Sequence, residues 1–137
     1  MSSTVEPVAI PETGLELLRG PNLGHVSFID GKGRIVTAIL WVQEVDGRVL
    51  LSSPVGSAKG RAYRERPQAA VSVVDPANPF HYVSISGEVT DIRPDEGLAL
   101  IDEMSRTYTG SDYQQRDLER EVFEITPTRV RASTGTW

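Results

Sequence analysis

Cysteine is absent from this chain of 137 residues, which excludes thiol catalysis, thiolate metal ligands and disulfide bonds. Only two histidines, His25 and His81, are present, and the histidines and carboxylates show no spacing typical of a metal site. Asp95 and Asp102 are interpreted as charges on solvated helix surfaces and at helix N-termini. No pair of residues therefore indicates a protein acid and base, and we expect no metal.

Positive charge and long apolar runs are also scarce. A formal net charge of −5 argues against a general nucleic-acid binder. No apolar run approaches the roughly 20 residues of a membrane span, and the N-terminus lacks the basic and apolar regions of a signal peptide. We expect a cytoplasmic protein that binds neither nucleic acid nor membrane, with a flexible tail over residues 1–10 and a single domain over residues 11–137.

The most informative stretch is residues 49–61, where an apolar strand is followed by hydroxyls, a glycine and two cations. Hydroxyls and the first free N–H groups of a helix can donate to phosphate oxygens, and the cations neutralise the charge. The pattern predicts an anion site at a strand-to-helix junction. Its polar residues are Ser52, Ser53, Ser57, Lys59 and Arg61. A solvated helix face would also explain the two cations, and ordinary strand termination would explain the first two serines.

Glycine and proline positions divide the chain into short strands and three helices. The predicted helices cover residues 11–19, 57–65 and 95–108, and the predicted strands cover 23–29, 34–45, 48–53, 69–74, 80–92, 119–126 and 129–132. The strand over 34–45 is apolar at both alternating sets of positions, so both of its faces are predicted to be covered. Pro94 is predicted to open the third helix, and Gly87 to mark a bulge or a close approach of the backbone. Short connections favour a mainly β, antiparallel barrel with flanking helices.

Four stretches of the chain together form a recognisable pattern. They are Ile39-Leu-Trp41, Leu51-Ser-Ser53 with Gly56-Ser-Ala-Lys59, residues 70–89, and Tyr108-Thr-Gly-Ser-Asp-Tyr113. In this order they resemble the split-barrel flavin-binding proteins of the pyridoxamine 5′-phosphate oxidase-like superfamily. The likeness is strongest to small actinobacterial flavin/deazaflavin oxidoreductases that use coenzyme F420. The chain departs from that pattern after Lys59, where Arg61 is followed by Ala62 and Tyr63 instead of Asn and Leu.

The resemblance implies an FMN-binding-like split β-barrel that forms a homodimer, with the cofactor near the interface. It implies that Ser53, Ser57, Lys59 and Arg61 hold the cofactor phosphate. Thr37 and Ile39 are predicted to form one wall for the ring system. The residues predicted to cover the ring from the partner subunit are Pro79, Phe80 and Tyr82, with packing between subunits as the alternative role. The two candidates for orienting the substrate are His81 and Tyr82. Trp41 is predicted either to stack on the ring or to belong to the core, and the core is favoured.

The implied activity is hydride transfer between coenzyme F420 and an unsaturated or conjugated small molecule. In such an enzyme the cofactor carries the chemistry, so a site without a protein acid and base is expected. Two alternatives stay open. One is FMN as the cofactor of an oxidoreductase of the pyridoxamine phosphate oxidase-like type, and the other is a non-catalytic protein that binds a planar ligand such as a tetrapyrrole or a flavin. The C-terminal Trp137 is predicted either to cap the barrel or to reach the partner's cleft.

Overall fold

The computed structural model describes residues 5–135, so Trp137 and its predicted role lie outside the described residues. Its helices are α1 (Glu12–Arg19), α2 (Ala58–Glu65) and α3 (Ala99–Thr109), the last preceded by a 3-10 turn over Glu96–Leu98. Its strands are β1 (Gly24–Ile29), β2 (Ile35–Leu40), β3 (Gln43–Val45), β4 (Arg48–Pro54), β5 (Gln68–Asp75), β6 (Asn78–Pro94) and β7 (Arg120–Thr134).

All of these strands belong to one 7-stranded sheet with the order β2-β1-β5-β6-β7-β4-β3. Every neighbouring pair is antiparallel. The sheet wraps around one apolar core, and the helices flank it, which confirms the predicted mainly β barrel. Within residues 5–135, none of the helices is both long and apolar enough to cross a membrane.

Strands β4 and β7 are covered on both faces. The residues that point into the barrel core are Val49, Leu51, Phe123 and Ile125. The residues that pack together on the other side of these strands and on α3 are Leu50, Val122, Leu100, Ile101 and Met104. Alternation along a strand sends successive side chains to opposite faces, so each strand contributes to both clusters. Burying each large apolar side chain contributes roughly 1.5–3 kcal/mol, which fixes α3 against this part of the sheet.

The strand predicted over residues 34–45 is interrupted. The chain leaves the sheet after Leu40 and re-enters it at Gln43, at the opposite edge, so the segment forms the separate strands β2 and β3. The N–H of Val42 donates to the Tyr108 hydroxyl at 3.1 Å in place of a strand partner. One face of β2 is open, with Ile35 78% and Ile39 60% exposed. An edge strand has a neighbour on one side only, and within residues 5–135 no other element covers the outer face of β2, so the predicted cover of this face stays a prediction.

The last two predicted strands are one continuous strand, β7, even though it contains Pro127. A proline cannot donate to a ladder, and the register of β6 with β7 shifts between Ser86 and Gly87, where Thr128 of β7 is the extra residue and Gly87 faces Pro127. This confirms the bulge predicted at Gly87. The backbone of β7 lies so close that a Cβ at Gly87 would be 2.2 Å from the carbonyl oxygen of Thr126.

Pro94 is the last residue of β6 and does not begin a helix. The helical segment is held instead by the buried carboxylate of Asp95, which accepts hydrogen bonds from the N–H groups of Leu100 at 2.8 Å and Ile101 at 3.0 Å. These are N–H groups that the first turn of a helix leaves without an intrahelical partner. Asp95 is therefore a structural residue. This confirms its interpretation as a helix N-terminal charge, whereas its interpretation as a solvated residue is wrong.

The end of the predicted N-terminal tail contacts the barrel. The N–H of Val8 donates to the carbonyl oxygen of Pro127 at 2.8 Å. Ile10 is 7% exposed and belongs to the core. The packed domain therefore includes residues that precede α1.

We expect Gly87→Ala to lower the free energy of unfolding by about 3 kcal/mol, because the added methyl group collides with the β7 backbone and neither strand can move without breaking the ladder. Urea denaturation of the purified variant measures this. Gly31→Ala is the matched control, since nothing lies within 4 Å of a Cβ there. It should change the free energy of unfolding by less than about 1 kcal/mol. Equal effects of the two changes would contradict the close approach of the strands.

Candidate functional site

Two of the hydroxyls that were predicted to bind phosphate form hydrogen bonds within the strand-to-helix junction itself. Ser57 precedes α2, and its Oγ accepts hydrogen bonds from the N–H of Gly60 at 3.0 Å and from the hydroxyl of Ser53 at 2.9 Å. Such a cap satisfies one of the free donors of the first helical turn. Arg61 is exposed, and its guanidinium donates to the carbonyl of Gly56 at 2.7 Å. These contacts fix where α2 begins.

Ser52 points to the other side of β4 and contacts a residue that the sequence did not indicate. Its Oγ accepts a hydrogen bond from Nε of Arg120 at 2.9 Å. The same guanidinium lies 5.1 Å from the centroid of the Tyr113 ring, in a cation–π contact. Arg120 thus lies between the hydroxyl of Ser52 and an aromatic face.

Lys59 and Arg120, which we call the cation pair, lie close enough to interact electrostatically. The pKa of Lys59 is below its ordinary value because burial disfavours the ammonium ion and because the charge of Arg120 opposes it. Among the described residues, no carboxylate forms an ion pair with either side chain. Two neighbouring cations without a counter-ion favour an anion from solution.

A cleft of ≈ 270 Å³ opens beside Arg120. Its lining residues are Leu23, Ile39, Leu40, Trp41, Ser52, Ile101, Met104, Tyr113 and Arg120. The lining is mostly apolar and aromatic, with a hydroxyl and a guanidinium at one end. This is the composition expected of a site for a flat organic ligand that carries an anionic group.

Trp41 belongs both to the packing and to the cleft. It stacks on Tyr108 with ring centroids 5.3 Å apart and an angle of 12° between the rings. Its other contact is edge-to-face with Tyr113 at 6.1 Å. The Tyr108 hydroxyl donates to the carbonyl of Asn22 at 2.8 Å, and burial raises the pKa of this phenol. Tyr108 therefore stays protonated and holds Trp41 in place.

The structure brings only some of the predicted cofactor residues together. Ile39 and Ser52 line the cleft. Thr37 lies two residues before Ile39 on the same face of β2, and its hydroxyl is 3.3 Å from that of Ser27 on β1. Both β2 residues are exposed, so this wall of the cleft continues onto an open surface.

The predicted covering residues lie elsewhere in the same chain. Pro79 and Tyr82 line a separate depression of ≈ 300 Å³ with His25 and Ser72, and Phe80 lies between them on β6. Strand pairing places Ile39 opposite His25, and His25 opposite Ser72. The cleft and the depression therefore open on one side of the sheet, which we call the outer face. Whether these residues cover a cofactor bound to a partner subunit stays a prediction.

His81 makes contacts within its own chain. Its Nδ1 is 3.3 Å from a carboxylate oxygen of Asp75, and its Nε2 is 3.3 Å from the carbonyl oxygen of Thr13. These contacts connect the turn between β5 and β6 to the first turn of α1. The imidazole is therefore engaged in the fold, and its role in orienting a substrate stays a prediction.

Asp102 anchors the loop that carries Tyr113 to the cleft, so its interpretation as a solvated charge is wrong. The carboxylate is bidentate with Arg116, at 2.8 and 3.0 Å, and it accepts the N–H of Tyr113 at 3.0 Å. Arg116 holds the pKa of Asp102 below its usual range, with burial acting against this. No local sequence signal indicates this contact, because the partners are separated by a helix end and a loop.

We expect acid to release this loop. The folded-state pKa of Asp102 is lowered, so its ionised carboxylate stabilises the folded loop. This stabilisation is fully present above the pKa of an unfolded aspartate, about 3.9, and is lost as the pH falls through the folded-state pKa. The NMR chemical shift of the Tyr113 amide proton should therefore change with a midpoint below about pH 4.

Asp102→Asn should remove this titration. Asp112→Asn is the matched control, because Asp112 pairs with Arg106 at 3.1 Å at an exposed position. An unchanged titration in the Asp102 variant would show that another group controls the loop.

Comparisons with known proteins agree with this architecture. Residues 10–134 match the family model described as pyridoxamine 5′-phosphate oxidase. Among solved structures, an F420 reductase is 26% identical, with 89% of this chain and 98% of that chain covered and a TM-score of 0.82. A conserved hypothetical protein from Mycobacterium tuberculosis is 18% identical, with 97% and 89% covered and a TM-score of 0.70.

An FMN-binding protein related to pyridoxamine 5′-phosphate oxidase, from Nostoc punctiforme, is 12% identical, with 80% and 72% covered and a TM-score of 0.59. Among curated protein sequences the chain has no match. The family match spans nearly the whole packed domain, and the solved structures share its strand arrangement. The chain therefore belongs to the pyridoxamine 5′-phosphate oxidase family and has the split-barrel fold of that superfamily.

Proposed function

We propose that this protein binds coenzyme F420 and transfers a hydride between the deazaflavin and an unsaturated or conjugated small molecule. The observation that carries the proposal is the cation pair. Arg120 lines the aromatic cleft, burial together with the charge of Arg120 lowers the pKa of Lys59, and neither cation has a carboxylate partner among the described residues. The F420 reductase with a TM-score of 0.82 supports a deazaflavin over other planar ligands.

The residues present fit a cofactor that combines a phosphate with a flat ring system. Lys59, Arg120 and the hydroxyl of Ser52 would hold the phosphate, and Arg61 lies exposed at the start of α2 to extend the positive surface. Ser53 and Ser57 contribute by fixing that helix start. The apolar wall would come from side chains such as Ile39 and Trp41. Removing a phosphate from water is costly unless such donors and charges replace its hydration.

When bound, the reduced deazaflavin supplies the hydride. The protein's own residues then have three tasks, which are to bind the cofactor, to exclude water from it and to orient the acceptor. The aromatic side chains of Trp41 and Tyr113 exclude water from the cleft, and Arg120 fixes the anionic end. Tyr82 and His81 remain our candidates for orienting the acceptor from a partner subunit.

A second copy of the chain would complete the site, and we include a homodimer in the proposal. The single-chain cleft of ≈ 270 Å³ is at the lower limit of ligand pockets, which span roughly 300–1,000 Å³. Its Ile39 wall continues onto the outer face, where Ile35 is 78% exposed and Val74 is 36% exposed. Exposed apolar side chains on one face of an edge strand, such as Ile35 and Ile39 on β2, are a feature of surfaces that associate.

We expect the wild-type protein to bind F420 with a micromolar or lower dissociation constant and to bind FMN more weakly, measured by titrating the fluorescence of each cofactor. Lys59→Met and Arg120→Gln should each weaken F420 binding about 10- to 100-fold, because each removes one charged hydrogen bond to the phosphate. Lys32→Met is the control, since Lys32 lies in the exposed turn between β1 and β2.

Three outcomes would contradict parts of the proposal. Tighter binding of FMN would assign the protein to the FMN-dependent alternative. Tight cofactor binding without turnover of any electron acceptor would favour the non-catalytic alternative. Unchanged F420 affinity in both Lys59→Met and Arg120→Gln would show that these two side chains do not bind the cofactor phosphate.

We expect light scattering after gel filtration to give twice the mass of one chain. Ile35→Lys should shift the protein toward the monomer, because it places a charge beside the exposed apolar side chain of Ile39 on the outer face of β2. Val45→Lys is the matched control, since Val45 is 41% exposed on β3, at the opposite edge of the sheet. A wild-type monomer, or a dimer that Ile35→Lys leaves intact, would rule out an interface on the outer face.

A further inference from the structure

Arg120 lines two cavities of different character. One is the cleft of ≈ 270 Å³, and the other is a second cavity of ≈ 700 Å³. Among the described residues, three carboxylates that line the second cavity form no ion pair, namely Glu96, Asp117 and Glu119. The guanidinium of Arg120 therefore has two possible surroundings, an aromatic cleft and an acidic cavity.

The backbone of Arg120 is fixed by contacts that do not fix its side chain. Arg120 pairs with Pro54 of β4, and its carbonyl oxygen accepts the N–H of Asp95 at 2.9 Å. Within residues 5–135, the side chain makes two polar or aromatic contacts. Its Nε donates to the hydroxyl of Ser52 at 2.9 Å, and its guanidinium lies 5.1 Å from the centroid of the Tyr113 ring. Both partners line the cleft and neither lines the second cavity.

Tyr113 is held in place by contacts that do not involve Arg120. Its N–H donates to Asp102 at 3.0 Å, its carbonyl oxygen accepts from Arg116 at 2.9 Å, and its ring meets Trp41 edge-to-face. Its hydroxyl makes no hydrogen bond with the part of the chain that the structure describes. The ring is therefore the fixed partner of the cation–π contact, and the guanidinium is the mobile one.

We infer that Tyr113 directs the guanidinium of Arg120 into the cleft, and so makes its charge available to the cofactor phosphate that the proposed function requires. A single hydrogen bond through Nε would leave the two outer nitrogens free to turn toward the carboxylates of the second cavity. A carboxylate would neutralise the guanidinium, whereas the face of an aromatic ring attracts a cation and leaves its charge in place. Tyr113 is thus a positioning residue that acts through Arg120.

Two substitutions of Tyr113 separate the ring from the hydroxyl. We expect Tyr113→Leu to bind F420 about 3- to 30-fold more weakly than the wild type, or FMN if FMN proves the tighter cofactor, because the guanidinium then leaves the cleft. Tyr113→Phe keeps the ring and should bind within about 2-fold of the wild type. Gln115→Leu is the matched control on the same loop, because Gln115 is exposed and does not line the cleft.

A double-mutant cycle separates positioning from direct contact between the ring and the ligand. In the Arg120→Gln background, Tyr113→Leu should cause no further loss of affinity, because no guanidinium is left to direct. A ring that acts by contacting the ligand would cause the same loss in both backgrounds.

One measurement needs no cofactor. The hydrogen bond to Ser52 protects the Nε–H of Arg120 from exchange with water, and NMR of the labelled side chain follows this exchange. We expect faster exchange in Tyr113→Leu, because the guanidinium turns away from Ser52, and wild-type exchange in Tyr113→Phe and Gln115→Leu.

The inference fails if Tyr113→Leu leaves the cofactor affinity or the Nε–H exchange of Arg120 unchanged. It also fails if Tyr113→Phe weakens binding as much as Tyr113→Leu, or if the loss persists in the Arg120→Gln background. If the wild type binds neither F420 nor FMN, the proposed function fails, but the Nε–H exchange in the two Tyr113 variants still decides whether the ring holds Arg120.

Discussion

The pairing of β4 with β7 is the constraint on which the candidate site depends. These strands carry the barrel core on one face and α3 on the other, so they are held from both sides. Their register places Ser53 opposite Glu121 and Ser52 opposite Val122. A slip of one residue would exchange the two faces. The apolar packing that specifies the register therefore also decides which polar side chains meet at the strand ends.

Charges around the cleft fall into two groups. Arg64 and Arg116 have buried or half-buried carboxylate partners, and each fixes an element, α2 in one case and the Tyr113 loop in the other. Lys59 and Arg120 have no such partner among the described residues. Arg64 and Arg116 thus fix parts of the fold, whereas Lys59 and Arg120 remain available to bind an anionic ligand.

Local signals in the sequence predicted most of the elements. Proline and glycine positions predicted α1, the hairpins and the bulge at Gly87, and the hydroxyl-rich junction predicted the start of α2 at Ser57. Long-range contacts produced the failures. The break in the strand predicted over residues 34–45 depends on the contact of Val42 with Tyr108. Arg120 lies beside Ser52 at the cleft only because β4 pairs with β7, and no local pattern in the sequence specifies that pairing.

Ile39 belongs both to the cleft and to the open surface of β2. If two chains associate through that surface, ligand binding and association are linked by one coupling free energy. Association then tightens ligand binding by the same factor by which the ligand tightens association. The apparent ligand affinity then depends on how dilute the protein is. A dissociation constant obtained at nanomolar protein describes a different species from one obtained at micromolar protein, even though no residue has changed.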